Sequence, residues 1–197
     1  MKKNFFTAAL AFAALTLAVS CKKTETVYTP PSPESAPINA AYRVNYGTSI
    51  NASGSGNYEY GCKFNVTKNG KITKLAVKMP TAGSYRVTLW EVGASSQTVL
   101  AQATITQAAG TLSFSTLTTP VTVTTGKNYL ISLWSNTNWY EIRPLVGSTF
   151  AYPITQGSIS ITGYQWVGTA QTPQTFPTNS DNTYVAGLAD FEFQADN

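Results

Sequence analysis

From about residue 40 onward, apolar and polar positions alternate in short runs, and each run stops at a cluster of Gly, Pro or Asn. Successive side chains of a strand point to opposite faces, so this alternation predicts a series of half-buried strands. Residues 58–66 form the first. The turn Thr67-Lys68-Asn69-Gly70 follows, with an Asn-Gly pair suited to positive φ. In residues 71–79, Leu75, Val77 and Met79 share one face, and Lys74, Ala76 and Lys78 the other. Residues 84–92 place Tyr85, Val87 and Leu89 inward, opposite Arg86, Thr88 and Trp90. The same logic continues through Val99, Ala101, Ala103 and Ile105, then Leu112, Phe114 and Thr116, then Val121 and Val123. In residues 128–135, Tyr129, Ile131 and Leu133 lie opposite Trp134. The closing strand, residues 184–194, sets Ala189, Phe191 and Phe193 on one face and turns Asp190 and Glu192 to solvent. No long amphipathic helix interrupts the series. The fold class expected is all-β: one antiparallel β-sandwich, jelly-roll-like, over residues 40–197.

Residues 144–181 are less regular. Four glycines and four prolines punctuate them, among them Gly157, Gly163, Pro153 and Pro173. Residues 158–162 and 164–167 read as short strands, and the remainder as long loops on a β scaffold, where binding residues concentrate.

The amino terminus follows different rules. Lys2 and Lys3 precede an apolar run from Phe5 to Val19, then Ser20-Cys21-Lys22-Lys23. A positive start, a short apolar stretch and a small residue at its end describe a secretory signal helix, residues 1–20, too short for a comfortable membrane span. Leu17-Ala18-Val19-Ser20 directly before Cys21 resembles the lipobox of bacterial lipoproteins. That resemblance implies cleavage before Cys21 and acylation of its thiol and amine. It also implies membrane attachment through lipid, since Lys22 is not an inner-membrane retention signal in that family. The expected location is the outer membrane, at its periplasmic face or at the cell surface. Residues 21–39, with Pro30, Pro31, Pro33 and Pro37 among Ser, Thr and Glu, read as a disordered, extended tether. At about 3 Å per residue it would hold a domain roughly 50 Å from a membrane.

Composition narrows the chemistry. Histidine is absent and there are two cysteines, Cys21 and Cys62. A Ser-His-Asp or Cys-His device is therefore unavailable, and no zinc set can be assembled. With Cys21 lipidated, Cys62 has no disulfide partner, and its place in a strand reads as a small buried apolar residue. Charged residues are 11% of the chain, and the basic ones form no run, which argues against nucleic acid. Lys68, Lys71, Lys74 and Lys78 form a mild basic edge of the kind that blocks strand-edge aggregation. No cofactor or metal is expected. Asn179, Asp181 and Asn182 carry oxygen ligands but lack an ordered calcium-loop spacing.

The remaining candidates are aromatic. Trp134, Trp139, Tyr140, Tyr164 and Trp166 fall in the C-terminal half among Asn and Gln, and Glu141 is the carboxylate in that setting. Flat rings beside amide donors suit a sugar face, and the same rings equally suit a sandwich core. Asp190 and Glu192, two apart on one strand, are the spacing of a glycosidase pair and also of any solvated face.

Four pieces resemble a family of bacterial surface modules classed as a domain of unknown function. They are Tyr60-Gly61-Cys62-Lys63-Phe64 with Gly70-Lys71-Ile72 as an opening hairpin, and Val87-Thr88-Leu89-Trp90 before Gly93. The others are residues 120–129 as strand, turn and strand, and Phe176-Pro177 with Asp190-Phe191-Glu192-Phe193 at the close. The resemblance implies a β-sandwich in a surface setting and no defined reaction. The function expected is a non-catalytic binding module, with a glycan as the leading ligand. The alternative is an adhesive subunit binding another surface protein, and a glycosidase-like enzyme comes third.

Overall fold

The computed structural model describes residues 32–43, 46–51, 56–170 and 174–197. The signal segment, Cys21 and the tether as far as residue 31 lie outside the described residues. In chain order the elements are β1 (Glu34–Ser35), α1 (Pro37–Ala41), β2 (Tyr46–Asn51), β3 (Tyr58–Val66), β4 (Gly70–Val77), β5 (Gly83–Val92), β6 (Gln97–Gln107) and β7 (Ser113–Val123). They continue with β8 (Asn128–Ser135), β9 (Trp139–Pro144), β10 (Ile154–Gln156), β11 (Ile159–Gly168), β12 (Asn179–Asp181), β13 (Val185–Ala186) and β14 (Ala189–Ala195).

A four-stranded sheet in the order β1-β14-β4-β7 packs against a seven-stranded one, β10-β11-β3-β8-β5-β6 with β12 on β11. A three-stranded sheet, β13-β9-β2, stands beside them, and the pairings are antiparallel throughout. With β2 and β9 to β13 set aside, eight strands remain. Counted along the chain they stand as 1-8-3-6 and 2-7-4-5, which is jelly-roll winding. The expected sandwich is the one observed.

Alternation placed the core correctly except at Val99 and Phe114. Val99 is 43% exposed because a register shift after Leu89 sets it opposite Trp90. Phe114 is 38% exposed because Ser115, not Phe114, lies opposite the core residue Leu75. Leu75, Val77, Met79, Val87, Leu89, Ile131 and Leu133 are fully buried. The connections differ from expectation. β3 and β4 are not a hairpin: β3 pairs with β8 and β11, β4 with β7 and β14. Thr67–Asn69 therefore carries the chain from one sheet to the other, and Asn69 is not among the positive-φ residues. Its side-chain oxygen accepts the N–H of Thr125, and its carbonyl accepts that of Asp196, so it ties three chain segments together. The strand expected over 184–194 is two strands. Gly187, at φ +65°, turns the chain from the small sheet (β13) into the sandwich (β14), and a Cβ there would lie 2.2 Å from the Tyr60 ring. Residues 158–162 and 164–167 are one strand, β11, with a bulge between Ile161 and Gly163.

Residues 34–39, which the proline pattern marks as tether, fold onto the domain together with Ala40 and Ala41. β1 pairs with β14, and Ile38 of α1 is fully buried. The short α1 has no capping side chain of its own. Asp190, on β14, supplies one: its carboxylate accepts the N–H groups of Ile38 at 3.2 Å and Asn39 at 2.7 Å. This corrects the solvent-facing assignment of Asp190, which is fully buried because α1 covers that face of β14. Glu192 lies nearer the surface, in an ion pair with Lys74 at 2.9 Å.

Candidate functional site

β3 and β11 run antiparallel with Tyr60 opposite Trp166 and Cys62 opposite Tyr164. Directly opposed residues project to the same side of a sheet. Tyr58, Tyr60, Tyr164 and Trp166 thus stand on the core side, in line with Cys62 and Phe64. Toward the Tyr58 end the small sheet approaches them, bringing Trp139 of β9, Ala186 of β13 and the preceding Tyr184. These residues line a cavity of about 100 Å³, partly open to solvent. Tyr60 and Tyr164 are buried at its base, while Tyr58, Trp139, Trp166 and Tyr184 are half-buried around it.

The rings hold one another in place. Trp139 meets Tyr58 edge-on at 5.6 Å and Tyr60 at 6.2 Å, Trp166 meets Tyr58 at 6.1 Å, and Tyr184 meets Tyr164 at 5.7 Å. Burial pushes the Tyr60, Tyr164 and Tyr184 phenols above the ordinary range, so they stay protonated and neutral. A cation, Arg143, lies 5.5 Å from the Tyr184 ring centroid and is ion-paired to Glu141 at 2.6 Å. The Nε1–H of Trp139 is buried without a hydrogen-bond acceptor.

The structure thus brings together three of the candidates, Trp139, Tyr164 and Trp166. It separates the others. Tyr140 follows Trp139 on β9 and faces the other way, toward Lys78, whose Nζ lies 5.7 Å from its ring. Glu141 does not line the pocket; it is held by Arg143. Trp134 lies on the outer side of the seven-stranded sheet, between Glu59 and Arg86, and is 8% exposed. Cys62 is buried, and burial pushes its thiol up to about 12, which leaves it unreactive near neutral pH.

Tyr58, Tyr60 and Tyr184 were not among the candidates, because each sits in an alternation that core packing explains equally well. A second set was missed on the outer face of the seven-stranded sheet. Glu59 is fully buried there, accepting from Ser132 Oγ and from the Arg86 guanidinium, both at 2.6 Å. Trp90 Nε1 donates to the same Ser132 Oγ at 2.9 Å. Burial raises the Glu59 carboxyl above its usual range, against the bonds from Ser132 and Arg86. The segment before β12 lies over this network: Phe176 packs edge-on to Trp90 at 5.3 Å, and Gln174 donates to Thr88 Oγ1. Among the described residues, no three His, Cys, Asp or Glu side chains gather as a metal site.

A family model described as "Domain of unknown function (DUF4082)" matches residues 45–186, which is most of the chain. No curated protein matches it.

Proposed function

Because this chain belongs to the DUF4082 family, whose description assigns no activity, we propose a function from its own residues: a lipid-anchored, non-catalytic binding module that takes a neutral glycan in its aromatic pocket. The observation that carries this is the ring-lined cavity between β3, β11 and β9. Half-buried rings offer apolar faces to the C–H side of a sugar. The buried phenols stay neutral, so nothing there selects for charge. At about 100 Å³ the cavity is well below the roughly 300 Å³ of a site that engulfs a larger ligand. It suits one sugar unit presented end-on, such as the terminus of a chain. The anchor rests on Cys21 after Ser20 and on the Pro-rich segment behind it, and the outer membrane is the proposed location.

The test is tryptophan fluorescence and pull-down against a panel of soluble and insoluble polysaccharides. A saturable response is expected. Trp139→Ala or Trp166→Ala should weaken it about tenfold or more while unfolding remains cooperative. Absence of a response to every glycan overturns the reading. In cells, Cys21→Ser should move the chain from the membrane to the soluble fraction, and retention in the membrane would refute the anchor.

The adhesive alternative has its own observation. Leu145 and Val146, just past β9, are 67% and 89% exposed. Binding of a surface protein that is lost in Leu145→Ser and kept in Trp139→Ala would favour it.

A further inference from the structure

We infer that a second ligand site lies on the opposite side of β9 and takes an anionic group, a carboxylate or phosphate, on a small hydroxylated ligand. It does not depend on the aromatic pocket. Trp139 and Tyr140 are neighbours on one strand and face opposite ways, so the two cavities are separated by the small sheet.

This cavity measures about 210 Å³ and lies where α1 and its exit meet β2, β9 and the end of β4. Its cations are Arg43 and Lys78. Neither has a carboxylate within ion-pair distance among the described residues, and of the described cations without an ion pair, which include Lys63, Lys68 and Lys71, these two share the lining of this cavity. Both are anchored by backbone. The Lys78 N–H donates to Leu188 at 2.9 Å, and the Arg43 N–H to Ala40 at 3.2 Å. The Lys78 ammonium is steered further by the Tyr140 ring at 5.7 Å.

The rest of the lining fits an oxyanion carried on a hydroxylated body. Ile142 and Leu188 are buried apolar walls, and a low-dielectric wall strengthens the pull of a nearby cation. Asn39 and Thr48 add an amide and a hydroxyl at the rim. The Asn39 backbone is already fixed by Asp190, so the amide stands on a rigid turn. The Tyr42 hydroxyl is turned to Tyr152 at 3.2 Å, so this residue contributes a wall rather than a donor. Two cations lining one half-enclosed, hydroxyl-bearing cavity, neither in an ion pair among the described residues, favour an anion over a neutral sugar.

The test uses the intact domain with isotope-labelled backbone and four probes: glucuronate, glucose 6-phosphate, inorganic phosphate and glucose. Saturable shifts confined to Asn39, Arg43, Lys78 and Tyr140 are expected with the anionic probes and not with glucose. The two sugar acids separate a carboxylate from a phosphate preference, and inorganic phosphate shows whether the anion alone suffices. Lys78→Gln and the exposed Arg43→Gln should each weaken binding about tenfold, and added salt should weaken it further. Lys127→Gln, on a distant ion pair, should not. Shifts spread over all lysines, or affinity unchanged in both Lys78→Gln and Arg43→Gln, overturn the site. Neither result bears on the aromatic pocket, whose test uses neutral glycans and Trp variants.

Discussion

Arg86→Ala should cost about 3–5 kcal/mol of folding stability at pH 7, measured by urea unfolding. The reason is Glu59. Its carboxylate is fully buried on the outer face of the seven-stranded sheet, and Arg86 is the cation that compensates it, at 2.6 Å. Ser132 donates one hydrogen bond to the other oxygen and carries no charge. Removing Arg86 strands a carboxylate in low dielectric, the costliest way to break a buried pair. Burial already holds the Glu59 carboxyl above its usual range. Without Arg86 it should rise further. The folded variant then keeps its proton to higher pH than the unfolded chain, so its deficit should be larger at pH 8 than at pH 5. In Arg86→Ala combined with Glu59→Gln most of the pH dependence should vanish. A loss under 1 kcal/mol in Arg86→Ala, equal at both pH values, would mean that Glu59 is not the buried charge described.

The second large effect concerns Asp190 and the attachment of α1. Burial pushes this carboxyl up to about 7, against the pull of the backbone N–H groups of Asn39, Phe191 and Ile38. The ordinary value is 3.8. Between these two values the folded protein holds a proton that the unfolded chain has released. Stability from this group is therefore complete below about pH 4 and is lost as pH rises through about 7. Three units at about 1.4 kcal/mol each set an upper bound of about 4 kcal/mol. Glu192 opposes this at lower pH only: slight burial raises it, and its bonds from Lys74 and Thr73 outweigh that and lower it. Asp190→Asn cannot ionise, so the difference in urea midpoint between wild type and variant should change steadily from pH 5 to pH 7.5, in favour of the variant at the higher pH. A difference that stays constant over that interval would show that Asp190 does not titrate there. Hydrogen exchange should find the Ile38 and Asn39 amides less protected as pH rises, because the acceptor that orders the first turn of α1 is the group being ionised in a buried place.

Both carboxylates show where a one-dimensional pattern misleads. Glu59 and Asp190 sit at polar positions of alternating strands, and alternation assigns such positions to the outside. That holds only when the outer face meets water. Here the segment around Phe176 packs on Trp90, which shares the Ser132 hydroxyl with the buried Glu59, and α1 covers Asp190. Neither cover is a neighbour in sequence: α1 reaches Asp190 across 152 positions. Trp134 belongs to the same lesson. Its placement opposite Tyr129, Ile131 and Leu133 was legible, but its near-complete burial was not.

Turn chemistry has a similar limit. Asn69-Gly70 marks a reversal of the chain, and a reversal occurs there. Whether it joins two paired strands or two sheets depends on partners far along the chain, since β4 pairs with β14 and β7 rather than with β3. The candidate pocket depends on such distances too. Trp139, Tyr164 and Trp166 were visible as residues, but their meeting with Tyr58 and Tyr60 needed the β3–β11 register, which the bulge after Ile161 sets. Core rings and binding rings have the same spacing in sequence.

What the chain's order of residues determined was the period of two, and with it the strands, most of their inward faces and the sandwich class, because the direction of each Cβ is fixed by its own backbone. Which faces stay wet, which reversals cross between sheets, and which rings surround a cavity were decided in three dimensions. Those outcomes depend on pairing and covering by segments far along the chain, and no local pattern encodes them.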